Sequence, residues 1–231
     1  MFIGGLEKLT LTDFPNRMAC IVFLVNCNFK CPYCYNKELT SHTLFKKSKR
    51  QLIPDEEFFS YLDENKKMLD GVVITGGEPT LSPGLIEFMK KIKKMGFAIK
   101  LDSNGTNPKV LEDIIKKKLV DYIAMDVKAP LNKYKELTRS NISPKKIKES
   151  IEILNKSGVP HEYRTTLYPK LSVEDLVEIA KLVAGETLLL QQFEGKNAYE
   201  LRVRKYKPMK KAKINEILKA TKGIANVVLR E

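Results

Sequence analysis

The 231-residue sequence has no apolar run approaching the ~18–20 residues that a membrane-spanning helix requires. Its opening, MFIGGLEKLTLTDF, also lacks the basic-then-apolar order of a signal peptide. The expected location is therefore the cytoplasm, without a membrane partner. Cysteine is scarce: there are four, three of them between Cys27 and Cys34, a distribution that excludes a framework of loop-stapling disulfides. Long linkers and internal repeats are absent, so one domain over residues 1–231 is the expected organisation. Within it, 1–19 form a hairpin-like lead-in and 194–231 a C-terminal extension. Acidic residues are the minority, 28 against 41 Lys and Arg, for a net charge of +13. The lysines of EFMKKIKKMG, LEDIIKKKLV and SPKKIKESIEILNKSG fall mainly opposite an apolar stripe, the pattern of solvated helix faces. That argues against nucleic acid as the partner.

What is present is an alternation of short apolar runs and longer amphipathic segments, which predicts an α/β protein with a mainly parallel sheet. Strands are expected at 20–25, 71–76, 97–103, 122–127, 162–167 and 187–193. Helices are expected near 55–68, 84–95, 109–118, 145–157, 173–184 and 210–221. Ser-Pro in SPGLIEF and SPKKIKE marks helix starts, and Gly96 and Gly158 mark ends. The regular period points to a partial (β/α)6 barrel, with an open doubly wound sheet as the structural competitor. Residues 40–54 read as a flexible loop, and IANVVLRE as an added edge strand. In such sheets ligands gather at the carboxyl ends of the strands. NCNFKCPYC, TGGEPT, DSNGT, DVKAP and the end of YRTTLYP all fall there.

Two of these segments carry the clearest chemistry. The spacing C-x3-C-x2-C at Cys27, Cys31 and Cys34 lets one loop offer three sulfurs to a metal centre, one fewer than a closed zinc or iron–sulfur site needs. Cys20 reads as a small buried hydrophobe. The open position could be left for a ligand, or His42 could complete a structural zinc site. One strand later, VVITGGEPT breaks at Gly76 and Gly77 and then presents Glu78. The glycines allow close backbone approach, and the carboxylate can accept from an ammonium group. Taken alone, this could be a mere turn.

Together these residues resemble the radical S-adenosylmethionine (SAM) superfamily, whose signature is this cysteine loop after the first strand and a GGE turn after the second. The resemblance implies a radical SAM fold. It implies a four-iron four-sulfur cluster held by Cys27, Cys31 and Cys34, with SAM chelating the open iron. It also implies Gly76, Gly77 and Glu78 at the SAM amine, and Tyr33 packed beside the adenine. GLEKLTLTDFPNRMACIVFLVNCNFKCPYCYN is similar to the opening of activating enzymes for anaerobic ribonucleoside-triphosphate reductase. DSNGT, YIAMDVKAP and LLLQQF resemble further segments of the glycyl-radical activating enzymes. Tyr35 departs from the usual histidine of that group, and Val25–Asn26 from its usual Gln-Gly. No cysteine-rich insertion lies between Leu39 and Asp70, so a single cluster is expected.

The remaining candidates have two readings each. Asp102, Ser103 and Asn104 could bind ribose hydroxyls or a small cation, or simply form a turn at Asn104–Gly105. Asp126 and Lys128, two residues apart on an extended chain, are a catalytic-site pair or a salt bridge on the barrel rim. The resemblance favours the site, and implies a monovalent cation at Asp102 and Asp126. Arg164 would bind a carboxylate, such as that of the methionine moiety, or face outward. The implied function is reductive cleavage of SAM to a 5′-deoxyadenosyl radical that abstracts hydrogen from a glycine of a partner glycyl-radical enzyme. That partner would be anaerobic ribonucleotide reductase, with flavodoxin or ferredoxin as the one-electron donor. The competing functions are a radical SAM enzyme for a small molecule in cofactor or modified-base synthesis, and a non-catalytic metal-binding protein with a basic partner surface.

Overall fold

A computed structural model describes residues 1–230. Eight strands follow one another in sequence order in a mixed, mostly parallel sheet: β1 (Ile3–Thr10), β2 (Ala19–Leu24), β3 (Gly71–Gly76), β4 (Ala98–Ser103), β5 (Tyr122–Asp126), β6 (His161–Leu167), β7 (Thr187–Gln192) and β8 (Asn226–Arg230). Strands β2 to β7 are the six expected ones, and the α/β class with mainly parallel strands is borne out.

Two compact units divide the chain. The first comprises residues 1–28, 38–103 and 109–124, and the second 29–37, 104–108 and 125–231. In the first, β2 pairs in parallel with β3, and β3 with β4. Val72, Val73 and Ile74 are buried on both faces of β3, as an unbroken apolar run in a parallel sheet requires. In the second, β6, β7 and β8 run parallel, so the IANVVLRE segment does add its strand.

The helices are α1 (His42–Lys47), α2 (Asp55–Glu64), α3 (Leu85–Lys94), α4 (Pro108–Lys116), α5 (Tyr134–Thr138), α6 (Pro144–Lys156), α7 (Val173–Leu182) and α8 (Lys211–Ala220). Helix α3 shows why they form: Leu85, Phe88, Met89 and Ile92 repeat at helical spacing and are buried, while its lysines lie among the remaining positions. Helix α7 starts with a capping box in which Ser172 and Asp175 satisfy each other's backbone N–H. Gly96 and Gly158 sit at positive φ, +94° and +69°, just past the ends of α3 and α6.

The lead-in is β1, one eight-residue strand paired antiparallel with β2. Two expectations need correction, and one helix is added. Residues 40–54 are not wholly loop, since Ser41 accepts from the Leu44 N–H and starts α1, with Phe45 buried. Helix α3 is preceded by Gly84 at φ +81° and not by Ser82–Pro83. Helix α5 was not read from the sequence, because five residues are too few for a periodic signal. Among the described residues no helix is long and apolar enough to cross a membrane.

Candidate functional site

In the first unit, the end of β3 turns on crowded backbone. Gly76 adopts φ +122°, and a Cβ there would stand 2.3 Å from the Leu24 backbone. At Gly77 a Cβ would stand 2.0 Å from the Asn26 carbonyl oxygen. Only glycine lets the strand pass so close to the segment leading to Cys27. That segment is pinned on both sides. Asn26 donates to the Leu39 carbonyl at 2.8 Å, its own carbonyl accepts from the Glu78 N–H at 2.7 Å, and the Cys27 N–H reaches the Thr40 carbonyl at 3.1 Å. Asn26 itself has φ +107°, a left-handed conformation that glycine adopts without strain. The commoner Gly of the resembling enzymes at this position thus has a backbone reason.

Glu78 is 1% exposed. Its Oε1 accepts from the Thr80 N–H at 3.1 Å, the Thr80 hydroxyl at 2.5 Å and the Ser103 hydroxyl at 2.8 Å. These bonds fix the carboxylate's orientation and bring together two predicted site residues, Glu78 and Ser103. Lys100 Nζ lies 3.1 Å from Asp102 Oδ1, and Lys100 is 1% exposed. Lys100 was not singled out from the sequence, yet strand alternation puts it on the same face of β4 as Asp102, two residues on. His42 packs edge-on against Phe2, with ring centroids 4.4 Å apart.

The second unit holds Cys31, Tyr33, Cys34, Asn104, Asp126, Lys128 and Arg164. At the end of β5, Asp126 accepts from Lys128 Nζ through Oδ2 at 2.9 Å and from Arg164 Nε through Oδ1 at 3.1 Å. Arg164 is 8% exposed, so it faces a partner and not solvent. Burial pushes the Asp126 carboxyl upward, but the Arg164 guanidinium and the Lys128 ammonium outweigh it and hold the group below the usual carboxylate range. Burial likewise works against the charged Lys128, and the Asp126 carboxylate overcomes it, leaving the ammonium above its ordinary value. The backbone locks the cluster: Val127 N–H donates to the Arg164 carbonyl at 2.9 Å and the Thr165 hydroxyl to the Val127 carbonyl at 2.8 Å. Tyr134, on the unforeseen helix α5, accepts from the Lys128 N–H at 3.1 Å.

Cys31 and Cys34 are joined by a turn, Cys34 N–H to the Cys31 carbonyl at 3.1 Å. All four cysteines are thiols. Burial pushes the Cys31 thiol up to about 12, offset only in part by Lys128 nearby. Buried Cys20 is likewise pushed up to about 12. Tyr33 is buried with its hydroxyl unbonded, and its ring lies 4.7 Å from that of Tyr168. Tyr35 accepts from the Glu194 N–H, tying the cysteine loop to the C-terminal extension. Asn104 spends its side-chain oxygen on the turn, accepting from the Thr106 N–H at 3.1 Å and hydroxyl at 2.7 Å, while Gly105 takes the left-handed conformation at φ +72°.

The Radical SAM superfamily profile matches residues 21–183. This chain belongs to the radical SAM superfamily. A protein of Methanocaldococcus jannaschii assigned as a glycyl-radical enzyme activating enzyme is 38% identical over 236 residues, covering 99% of this chain and 95% of that protein. A second protein of the same organism, with the same assignment, is 32% identical over 188 residues, covering 79% of this chain and 68% of that one. Among solved structures, Streptococcus suis SuiB superposes with a TM-score of 0.66 at 15% identity, over 91% of this chain and 48% of SuiB. This chain thus spans about half the length of SuiB, and the likeness at that identity is one of fold.

As a radical SAM enzyme, the chain is of a kind that uses a four-iron four-sulfur cluster and SAM. Its residues fit that pair chemically. Cys27, Cys31 and Cys34 are thiols, the soft donors that an iron–sulfur cluster takes, and the Tyr33 hydroxyl is buried without a hydrogen bond. Among the described residues no group of three or more His, Cys, Asp or Glu side chains is preassembled around a metal position.

Proposed function

We propose that this chain is a glycyl-radical activating enzyme, acting on a glycine of a partner enzyme. The expected partner is anaerobic ribonucleoside-triphosphate reductase, with flavodoxin or ferredoxin as the electron donor and the reducing cytoplasm as the compartment. The supporting observation is the 38% identity to a protein assigned to this activity, along nearly the whole of both chains. The superfamily match at 21–183 draws on residues of both units, which supports reading 1–231 as one radical SAM domain.

When bound, the cluster, reduced by that donor, and SAM would supply one-electron cleavage of a carbon–sulfur bond and the abstraction of a hydrogen atom from the target glycine. The chain's part is to bind and orient. Cys27, Cys31 and Cys34 hold the cluster. Glu78, its carboxylate fixed by Thr80 and Ser103, accepts from the methionine ammonium at the turn that Gly76 and Gly77 make. Arg164 and Lys128 bring two cations to the single Asp126 carboxylate, and the surplus positive charge suits the methionine carboxylate. Tyr33 would lie against the adenine, and Asp102, Ser103 and Asn104 would serve the ribose.

Anaerobic reconstitution, followed by dithionite and SAM, should yield 5′-deoxyadenosine in the wild type and none above background in Cys31→Ala. Absence of product from a fully loaded wild type would sink the radical chemistry. Adding the reductase should then give a glycyl radical by electron paramagnetic resonance. Its absence, with 5′-deoxyadenosine still formed, would move the assignment to a small-molecule substrate.

A further inference from the structure

The resemblance to activating enzymes implies a monovalent cation at Asp102 and Asp126, and the side chains here do not fit one. Lys100 is a lysine with 1% exposure, a burial that an ammonium tolerates only beside an opposite charge, and its Nζ lies 3.1 Å from Asp102 Oδ1. The ammonium neutralises the carboxylate it faces, so this pair by itself offers no net charge to a metal ion. At Asp126 the balance goes further: Lys128 at 2.9 Å and Arg164 at 3.1 Å place two cations on one carboxylate. A third cation would meet net repulsion. Each carboxylate has its countercharge within its own unit, so the argument holds for each separately.

We propose that this chain carries its own cations at these positions and binds no monovalent metal ion there, Lys100 being the built-in counter-ion of Asp102. Lys100 is then a positioning residue, supplying beside the Asp102 carboxylate the countercharge that a bound ion would otherwise supply. That consequence for the cofactor rests on the proposed function, but the ion pair does not.

The test is thermal melting of the reconstituted full chain in potassium, sodium and choline chloride at one ionic strength. The wild type should melt within about 1 °C in all three salts. Lys100→Met, of similar volume, should melt lower and recover ~3–5 °C for each tenfold rise in potassium or sodium once the emptied position binds, with choline giving nothing. Lys100→Met/Asp102→Asn should lose that response. A wild type stabilised specifically by potassium or sodium, with the effect gone in Asp102→Asn, overturns the proposal, as does a Lys100→Met chain indifferent to the cation. Should Lys100→Met fail to fold, the wild type against Asp102→Asn decides alone. Melting needs no turnover, so a failed 5′-deoxyadenosine assay would remove the proposed function and leave this result standing.

Discussion

The glycine turn after β3 and the Asp126 cluster after β5 are built on opposite principles. The first is a matter of volume: Gly76 and Gly77 pass backbone at distances that no side chain survives. The second is a matter of charge: three ionised groups meet at 2.9 and 3.1 Å, in a place where burial works against the charged forms of Asp126 and Lys128. A steric site fails abruptly and without regard to pH. An electrostatic site fails by degrees, and the degree depends on protonation.

The largest expected effect therefore belongs to Gly77→Ala. The new methyl would stand 2.0 Å from the Asn26 carbonyl oxygen, which is itself held by the Glu78 N–H, so neither side can yield cheaply. The variant should lose more than ~4 kcal/mol in urea unfolding, or fail to fold. A loss below ~1 kcal/mol would mean that the turn is not closed by crowding.

Arg164→Met tests the other principle. Removing the guanidinium leaves Asp126 with Lys128 alone, at a cost of ~3 kcal/mol near neutral pH. The pH profile gives a signature that a packing defect lacks. Asp126 sits below its unfolded value of ~3.9, so the unfolded chain binds the extra proton; its contribution is present above that value and lost as pH falls through the folded one. Lys128 sits above its ordinary value, so its contribution is present below the unfolded pKa and lost as pH rises through the folded one. In Arg164→Met the acid-side loss should be smaller than in the wild type. An unchanged acid limb in denaturant titrations between pH 2 and 5 would show that Arg164 does not stabilise the carboxylate.

Most of this architecture was legible because its signals are local. The run GVVITG reads as a buried strand, and the stripe of Leu85, Phe88, Met89 and Ile92 as one face of a helix, and both are found. What escaped was what depends on a distant partner. Nothing in FAIKLDS says that Lys100 is buried, although its i, i+2 relation to Asp102 is in the sequence. Arg164 read equally well as facing a ligand or solvent, because the sequence does not say that Asp126 meets it. Asn26 was noticed only as a departure from a pattern; its positive φ is a property of the backbone.

That position carries a smaller prediction on the steric side. Asn26→Gly should stabilise the chain by ~0.5–1 kcal/mol, the relief of strain at φ +107° being partly offset by the extra freedom of glycine when unfolded. Destabilisation in urea melts would mean that the asparagine side chain contributes more than its backbone costs.

The smallest effect is expected where neither principle dominates. Tyr35 is 40% exposed, carries no charge at neutral pH, and contributes one acceptor to the Glu194 N–H at the start of the irregular segment 194–209. Tyr35→Phe keeps the ring and removes that acceptor, and because water can replace it at a half-exposed position the loss should be only ~0.5–1 kcal/mol. The global melt will barely register it. Amide exchange will, since the Glu194 N–H loses the hydroxyl it donates to: its exchange should quicken by ~2–5-fold while amides of β6 and β7 are unchanged. Equal exchange in both chains would detach Tyr35 from the C-terminal extension and leave its replacement of the usual histidine without a structural role.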